Sequence, residues 1–280
     1  MDSKIKIELG TLQKTLLLPL WGRAKEYEEI NPLIKDDYAH QMIEKLDFNF
    51  DTLQKMISQI EVTAAIRAYN FDTIISKMIN RYPDATIVNL GAGLDTTFQR
   101  VDNGKIFWYD LDLADTIELR KKLIPEGDRN KVISKSVFDR SWFSDIKVRN
   151  SKVFFMAAGV LAYFKEEEIK QLFLDINKEF PESELVFEIY STILLWLSVI
   201  FSKIRKAERE LTIPLHSKIN SGKSISKWSN QIKIIDEYSL YSKINFEEHW
   251  RNKNLFKIKL FRFLNAVKMI HLSFGKLNTM

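Results

Sequence analysis

Cysteine is absent from the 280 residues, and that gap removes disulfides, cysteine-based zinc sites and cysteine nucleophiles together. A chain without thiols is compatible with a reducing compartment, so a cytoplasmic location is the expectation. Glycine and proline are scarce, at 9 and 6 residues, and no repeat, low-complexity tract or flexible linker divides the chain. Long apolar runs are missing as well. The most apolar stretch, Ile193 to Phe201 within Ser191 to Lys203, falls short of the ~20 residues that a bilayer requires, so no membrane association is expected. The first residues, Met1-Asp2-Ser3-Lys4-Ile5-Lys6, lack the basic region, apolar run and small-residue cleavage site of a signal peptide. A net charge of only +5, spread along the chain, is compatible with an acidic small molecule and too weak to argue for nucleic acid, so no nucleic-acid partner is expected. The four histidines, His40, His216, His249 and His271, have no metal-ligand spacing. They are read as structural, with no metal expected.

What is present is the material of an ordinary globular core, 45% hydrophobic and 28% charged, and a single domain is the expectation. The first 80 residues read as helical. Apolar positions in Leu53 to Ile60 recur at spacings of three and four, and a second such helix runs from about Thr63 to Ile79 before Tyr82-Pro83-Asp84 breaks the pattern. Thr86-Ile87-Val88-Asn89-Leu90 then reads as a strand buried on both faces. Further strands are expected at Lys105 to Asp110, Lys131 to Ile133, Lys152 to Ala157, Leu185 to Tyr190 and Val267 to Phe274. Helices from about Asp115 to Leu123 and Lys165 to Phe180 lie between them. Strand and helix in alternation predict a mostly parallel sheet with helices on both faces. In the last strand Val267, Met269 and His271 alternate with Lys268, Ile270 and Leu272. Both sets hold apolar residues, so both sides should be at least partly covered.

The first strand runs straight into Gly91-Ala92-Gly93. A turn this tight at a strand's carboxyl end favours residues without a Cβ, because the backbone bends sharply and a ligand must approach it closely. Asp112 follows the second strand, about 20 residues on, where a carboxylate accepts from the two hydroxyls of a ribose; Asp110 is the neighbouring candidate. A nucleotide-like ligand follows. The dinucleotide fingerprint wants Gly or Ala at the position of Thr96, which counts against a nicotinamide cofactor and an NAD(P)-dependent oxidoreductase.

The block Val88-Asn89-Leu90-Gly91-Ala92-Gly93-Leu94-Asp95-Thr96-Thr97, with Arg100, resembles the glycine motif of the leucine carboxyl methyltransferase family, which includes tetracenomycin-type polyketide O-methyltransferases. Three more blocks occur in that family's order: Ile66-Arg67-Ala68-Tyr69 with Phe71-Asp72, Tyr109 to Ala114, and Ala157 to Phe164. The resemblance implies a Rossmann-like class I fold using S-adenosylmethionine, with S-adenosylhomocysteine as product. The blocks span about residues 60 to 190; around them the chain is read as a helical N-terminal cap (1–80), a cofactor-binding core (81–190), a lid or substrate-selecting segment (191–230) and a C-terminal completion of the sheet (231–280). The implied cofactor contacts come from Arg67, Gly91, Ala92, Gly93, Asp112, Leu113, Ser136, Val137, Asp139 and Ala158. Arg67 would take the methionine carboxylate, Asp112 the ribose, and the residues around Val137 and Asp139 the adenine. Two positions depart from the pattern: Ser136 stands where the family often has Asp, and Ala158 where it often has Glu.

The implied activity is transfer of a methyl group to an oxygen, carboxylate or hydroxyl, of a small, polyketide-like molecule. A non-catalytic relative and a protein-carboxyl methyltransferase are the alternatives. Tyr163 is the candidate to touch cofactor or acceptor. Trp21, Arg23 and Tyr27, with Leu195, Trp196, Val199 and Ile200, are the candidates to close the pocket mouth. A Gly91→Val change is expected to abolish binding and leave the fold intact.

Overall fold

The structure, a computed structural model, describes residues 4–10, 13–50, 60–148, 152–191, 215–250, 256–263 and 265–276. Its centre is a seven-stranded sheet: β1 (Thr86–Leu90), β2 (Phe107–Asp112), β3 (Asn130–Ser134), β4 (Val153–Ala157), β5 (Glu184–Tyr190), β6 (Ile232–Ser239) and β7 (Val267–Phe274), in the order β3-β2-β1-β4-β5-β7-β6. The first five strands are parallel, and β7 runs antiparallel between β5 and β6. β1 and β4 are buried at every residue, as strands covered on both faces must be. Between them the order of strands reverses, and the crevice at such a reversal, outside the carboxyl ends, is where open α/β sheets take their ligands.

Two apolar layers cover the sheet. On one face α6 (Glu166–Glu179) buries Ile169, Leu172, Phe173 and Ile176 against Phe155, Phe187 and Ile270. On the other face the long helix α3 (Ile60–Arg81) packs Ile66, Phe71, Ile75 and Met78 against Phe154, Val186 and Met269. The alternation read in β7 divides its residues between these layers as expected: Val267 and Met269 face the α3 side, Ile270 and Leu272 the α6 side. The N-terminal helices α1 (Leu17–Tyr27) and α2 (Asp37–Lys45) form a third cluster with Leu94 and with Leu119 of α5 (Ala114–Leu123). A five-residue helix, α4 (Thr97–Val101), follows the glycine turn.

Two elements differ from the expectation, and a third lies almost wholly outside the described residues. The second strand begins at Phe107 rather than Lys105 and ends on Asp112 rather than Asp110. Asn103 Oδ1 accepts from the amides of Lys105 and Ile106, at 2.9 and 3.1 Å, and holds them in a turn. β6 has no counterpart among the strands expected individually; it is an edge strand with half-exposed and exposed residues and an irregularity between Ile234 and Asp236, so its apolar signal is weak. The helix expected from Leu53 lies, apart from Ile60, outside the described residues, as do Leu195, Trp196, Val199 and Ile200. No described helix is long and apolar enough to cross a membrane.

A buried charge network joins the N-terminal helices to the sheet. Asp36 Oδ2 accepts from Arg23 Nε at 2.8 Å, from Arg100 Nη1 at 2.8 Å and from the Thr96 hydroxyl at 2.5 Å, while Oδ1 accepts from the Ala39 amide that opens α2. Burial pushes the Asp36 carboxyl up. The Arg23 and Arg100 guanidinium groups, with the Thr96 hydroxyl and the Ala39 amide, outweigh that and hold it below the usual carboxylate range. Because its folded value is depressed, the stability it contributes is complete above its unfolded value, near ~3.9, and is lost as pH falls through the folded one. Asp36→Ala, which leaves two guanidinium groups short of their shared anion, is expected to cost about 3–5 kcal/mol at neutral pH in urea unfolding. The deficit should shrink as the pH at which both proteins are unfolded is lowered below the ordinary carboxylate range.

Candidate cofactor site

β1 ends at Leu90, and the chain then turns left-handed twice, with φ +67° at Gly91 and +52° at Gly93. Only glycine adopts this backbone without a steric cost. The amides of Gly91 and Ala92 both donate to the Leu111 carbonyl, at 2.8 and 3.0 Å, which ties the turn to β2. Asp112, the last residue of β2, completes the tie. Its Oδ2 accepts from the Gly93 amide and its Oδ1 from the Leu113 amide, each at 2.7 Å. Burial pushes the Asp112 carboxyl up, against the opposing pull of those two amides. The side chain is half-buried at the carboxyl edge of the sheet, beside Leu113, which is 38% exposed.

Asp110, the alternative candidate, is ruled out as a ligand group. It is fully buried and accepts from Arg120 Nη2 at 2.6 Å, Trp108 Nε1 at 2.9 Å and Asn89 Nδ2 at 3.2 Å. Arg120 of α5 also donates through Nη1 to the carbonyls of Gly93 and Asp95, at 3.0 and 2.7 Å. Arg23 of α1 donates to the Leu94 carbonyl at 2.8 Å. Thr96, which departs from the dinucleotide pattern, is buried with its hydroxyl on Asp36 and so has a structural task. The motif residues Arg100 and Asp72 make a two-pronged pair at 2.7 and 2.9 Å that braces α4 on α3.

Arg23 was expected at the pocket mouth. It is committed instead to the turn and to Asp36, while Trp21 is buried and Tyr27 stacks on His40. A short 3-10 helix, Gln13–Leu16, also approaches the glycine turn. A Cβ on Gly93 would lie 3.5 Å from that of Leu16. Gln13 donates to Asp115, and Thr15 stands 3.5 Å from the Tyr163 hydroxyl.

Across the reversal point, β4 ends at Ala157 and leads through half-buried Ala158 and left-handed Gly159 (φ +75°) into the 3-10 turn Leu161–Tyr163. Arg67, from the middle of α3, reaches this edge. Its Nε donates to Glu188 Oε2 at 2.9 Å, its Nη2 lies 2.8 Å from Glu188 Oε1, and Nη2 also donates to the Tyr190 hydroxyl at 2.7 Å. Burial alone would lower the Arg67 guanidinium; the Glu188 carboxylate beside it wins and keeps the group firmly protonated. On the far side of Asp112, Ser136 Oγ accepts from the Phe138 amide, and Asp139 is exposed and caps a 3-10 turn through the Ser141 amide. Val137 is buried in the core, its carbonyl accepting from Trp142 Nε1.

The fold thus gathers Gly91, Ala92, Gly93, Asp112 and Leu113 on one side of the reversal and Arg67, Ala158 and Tyr163 on the other. The set fits an adenosyl amino acid. Asp112 has lone pairs beyond the two its amides use, Arg67 keeps the charged Nη1 donor beyond those it spends on Glu188 and Tyr190, and the intervening main chain carries no side chains at Gly91 and Gly93. Sequence reasoning missed Glu188, Tyr190, Asp36 and Arg120. Glu188 alone left a signal, a single charge inside the apolar run Leu185 to Ile189, where an ionised group is costly without a partner.

A family model described as leucine carboxyl methyltransferase matches residues 17–177, more than half of the chain. The tetracenomycin polyketide synthesis O-methyltransferase TcmP of Streptomyces glaucescens is 27% identical over 183 residues, covering 65% of this chain and 67% of that protein. The S-adenosyl-L-methionine-dependent methyltransferase dpfgK of Gibberella zeae is 28% identical over 201 residues, covering 66% and 67%. Among solved structures, an S-adenosylmethionine-dependent methyltransferase from Anabaena variabilis superposes with a TM-score of 0.51 at 8% identity, covering 98% of this chain and 99% of that one. At that identity the likeness is one of fold.

The geometry also corrects the expectation for Gly91. A Cβ there would lie 2.5 Å from a Val160 methyl, so a side chain collides with the protein before it meets any ligand. Gly91→Ala is expected to lower stability by at least about 1–2 kcal/mol from backbone strain alone, read as a lower urea midpoint without added cofactor. An unchanged midpoint would mean that the turn relaxes freely.

Proposed function

The chain belongs to the leucine carboxyl methyltransferase family, and on that premise we propose that it methylates an oxygen, carboxylate or hydroxyl, of a small polyketide-like molecule. It is an S-adenosylmethionine-dependent methyltransferase. The matched relative named for polyketide synthesis supports the small-molecule acceptor. The observation that carries the reading is the Asp112 carboxylate locked by the Gly93 and Leu113 amides at the carboxyl edge of the sheet, one strand away from a left-handed glycine turn.

When bound, S-adenosylmethionine supplies an electrophilic methyl carbon on a sulfonium. The chain's own residues bind and orient. Asp112 accepts from the ribose hydroxyls with its remaining lone pairs, Arg67 donates to the carboxylate of the amino-acid end, and the bare main chain at Gly91 and Gly93 allows close approach. Exposed Leu113 gives an apolar surface next to Asp112 for the base. Ser136 retains a hydroxyl for the adenine side, with a weaker acceptor than a carboxylate. Methyl transfer asks for alignment and exclusion of water rather than for a catalytic triad. A carboxylate acceptor is ionised at neutral pH and needs no base, whereas a hydroxyl gains from one. Tyr163, held near Thr15, is the residue assigned to the acceptor side.

Asp112→Asn keeps the shape and removes the charge. It is expected to weaken S-adenosylhomocysteine binding by about 1–3 kcal/mol, roughly 5- to 150-fold, in calorimetry. Incubation of the wild type with labelled S-adenosylmethionine and a panel of hydroxylated and carboxylated polyketide-like acceptors should label at least one of them. Binding of NAD(H) in place of S-adenosylhomocysteine would sink the proposal.

A further inference from the structure

We propose that a groove beside β3 is a second ligand site, which takes an organic anion: a carboxylate or phosphate group carried on an apolar body. Its place follows from the connections between strands. α4, α5 and α6 follow β1, β2 and β4, whereas β3 is followed, among the described residues, by only a six-residue 3-10 turn, Arg140–Asp145. A parallel crossover usually brings a helix down the face of the sheet. Here Trp142 and Ile146 of the shorter return pack on the α6-side layer, and no described helix lies over β2 and β3 on that face. α5 reaches the opposite face, where Arg120 meets Asp110. What the missing helix leaves is a groove of about 570 Å³, within the range of small-molecule sites.

The floor of the groove is set by strand register. Tyr109 pairs with Lys131 and Leu111 with Ile133 in parallel, so the alternate residues Phe107 and Tyr109 of β2 share one face with Lys131 and Ile133 of β3. All four line the groove. Tyr109 is 8% exposed; its hydroxyl accepts from the Lys147 amide at 3.1 Å and donates to nothing among the described residues. A phenol can donate as well as accept, so a donor more than nine-tenths buried is left for a ligand.

The charges select the ligand's sign. Lys131 and Lys147 line the groove, are exposed and make no ion pair among the described residues. The other cations there are spent, Arg129 on Asp102 at 2.6 Å and Lys135 on Asp145 at 2.5 Å. Asp128 is the remaining acid of the lining, which leaves two free ammonium groups against one carboxylate. An anionic oxygen group meets the ammonium groups and the phenol, and Phe107 with Ile133 receives the apolar body. The edge of β3 does not suit an added strand. Its outward Val132 amide donates to Glu126 Oε1 at 3.0 Å, and its outward Asn130 carbonyl accepts from the Gly127 amide at 3.1 Å. The groove begins at Phe107 and Arg129, the amino ends of β2 and β3, away from the carboxyl edge that carries Asp112.

The test titrates the full chain in calorimetry with naphthylacetate, naphthyl phosphate and the uncharged naphthylethanol, with and without saturating S-adenosylhomocysteine. At least one of the two anions is expected to bind about tenfold or more tightly than the alcohol, and the tighter one identifies the group as carboxylate or phosphate. S-adenosylhomocysteine should leave that affinity within about twofold, because the two sites are separate. Lys131→Met combined with Lys147→Met changes two exposed positions and should erase the preference for the anion. Tyr109→Phe should weaken anion binding by about fivefold, the worth of one hydrogen bond. Equal binding of the alcohol, undiminished anion binding in the double lysine variant, or displacement of the anion by S-adenosylhomocysteine would overturn the proposal. So would a failure of all three probes to bind, as when a second copy of the chain closes the groove.

Discussion

The turn after β1 is the constraint on which the rest depends. Its backbone is left-handed at Gly91 and Gly93, and its carbonyls at Gly93, Leu94 and Asp95 are captured by arginines arriving from α5 and α1. The glycines remove the steric cost of the bend; the arginines satisfy main-chain groups that a ligand-facing turn would otherwise leave without partners. Charge on those arginines must in turn be met. Asp110 meets Arg120, and Asp36 meets Arg23 and, with Asp72, Arg100. A turn of a few residues therefore fixes where α1, α2, α4 and α5 sit.

This arrangement explains why so much of the glycine motif has no ligand to touch. Thr96, Arg100 and Asp72 brace the turn from behind, and Asp95 caps α4 through the Thr97 amide at 3.0 Å. Among the described residues, the groups at the crevice are half-buried Asp112, exposed Leu113, the glycines and, across the reversal, the Arg67 guanidinium. That division suits a reaction whose barrier falls by alignment rather than by proton relay.

Much of this was legible in the residues. The strand Thr86–Leu90 was readable to its boundaries because a short β-branched and apolar run stands between the Tyr82-Pro83-Asp84 break and Gly91, and α3 and α6 because their apolar positions keep a helical spacing. β6 was not legible, since an edge strand with polar residues on much of its length resembles a loop. Arg23 looked like a residue for the pocket mouth because an arginine on an amphipathic helix has no visible partner in sequence. Its partners, Asp36 and the Leu94 carbonyl, are 13 and 71 residues away. Asp110 and Asp112 looked interchangeable, and burial beneath Arg120 and Trp108 separates them.

The sequence by itself determined the local grammar: which buried runs become strands, where the chain must bend without a Cβ, and that an acid stands at the end of the second strand. These follow from steric and hydrophobic preferences within a few residues of one another. Only the tertiary structure decided which charges are spent on the fold and which remain for a ligand. That depends on partners far apart along the chain, as when Arg67 on α3 meets Glu188 on β5, 121 residues away, beside Gly159 just past the end of β4. Coulomb attraction and desolvation act through space, so a spacing along the chain cannot record them.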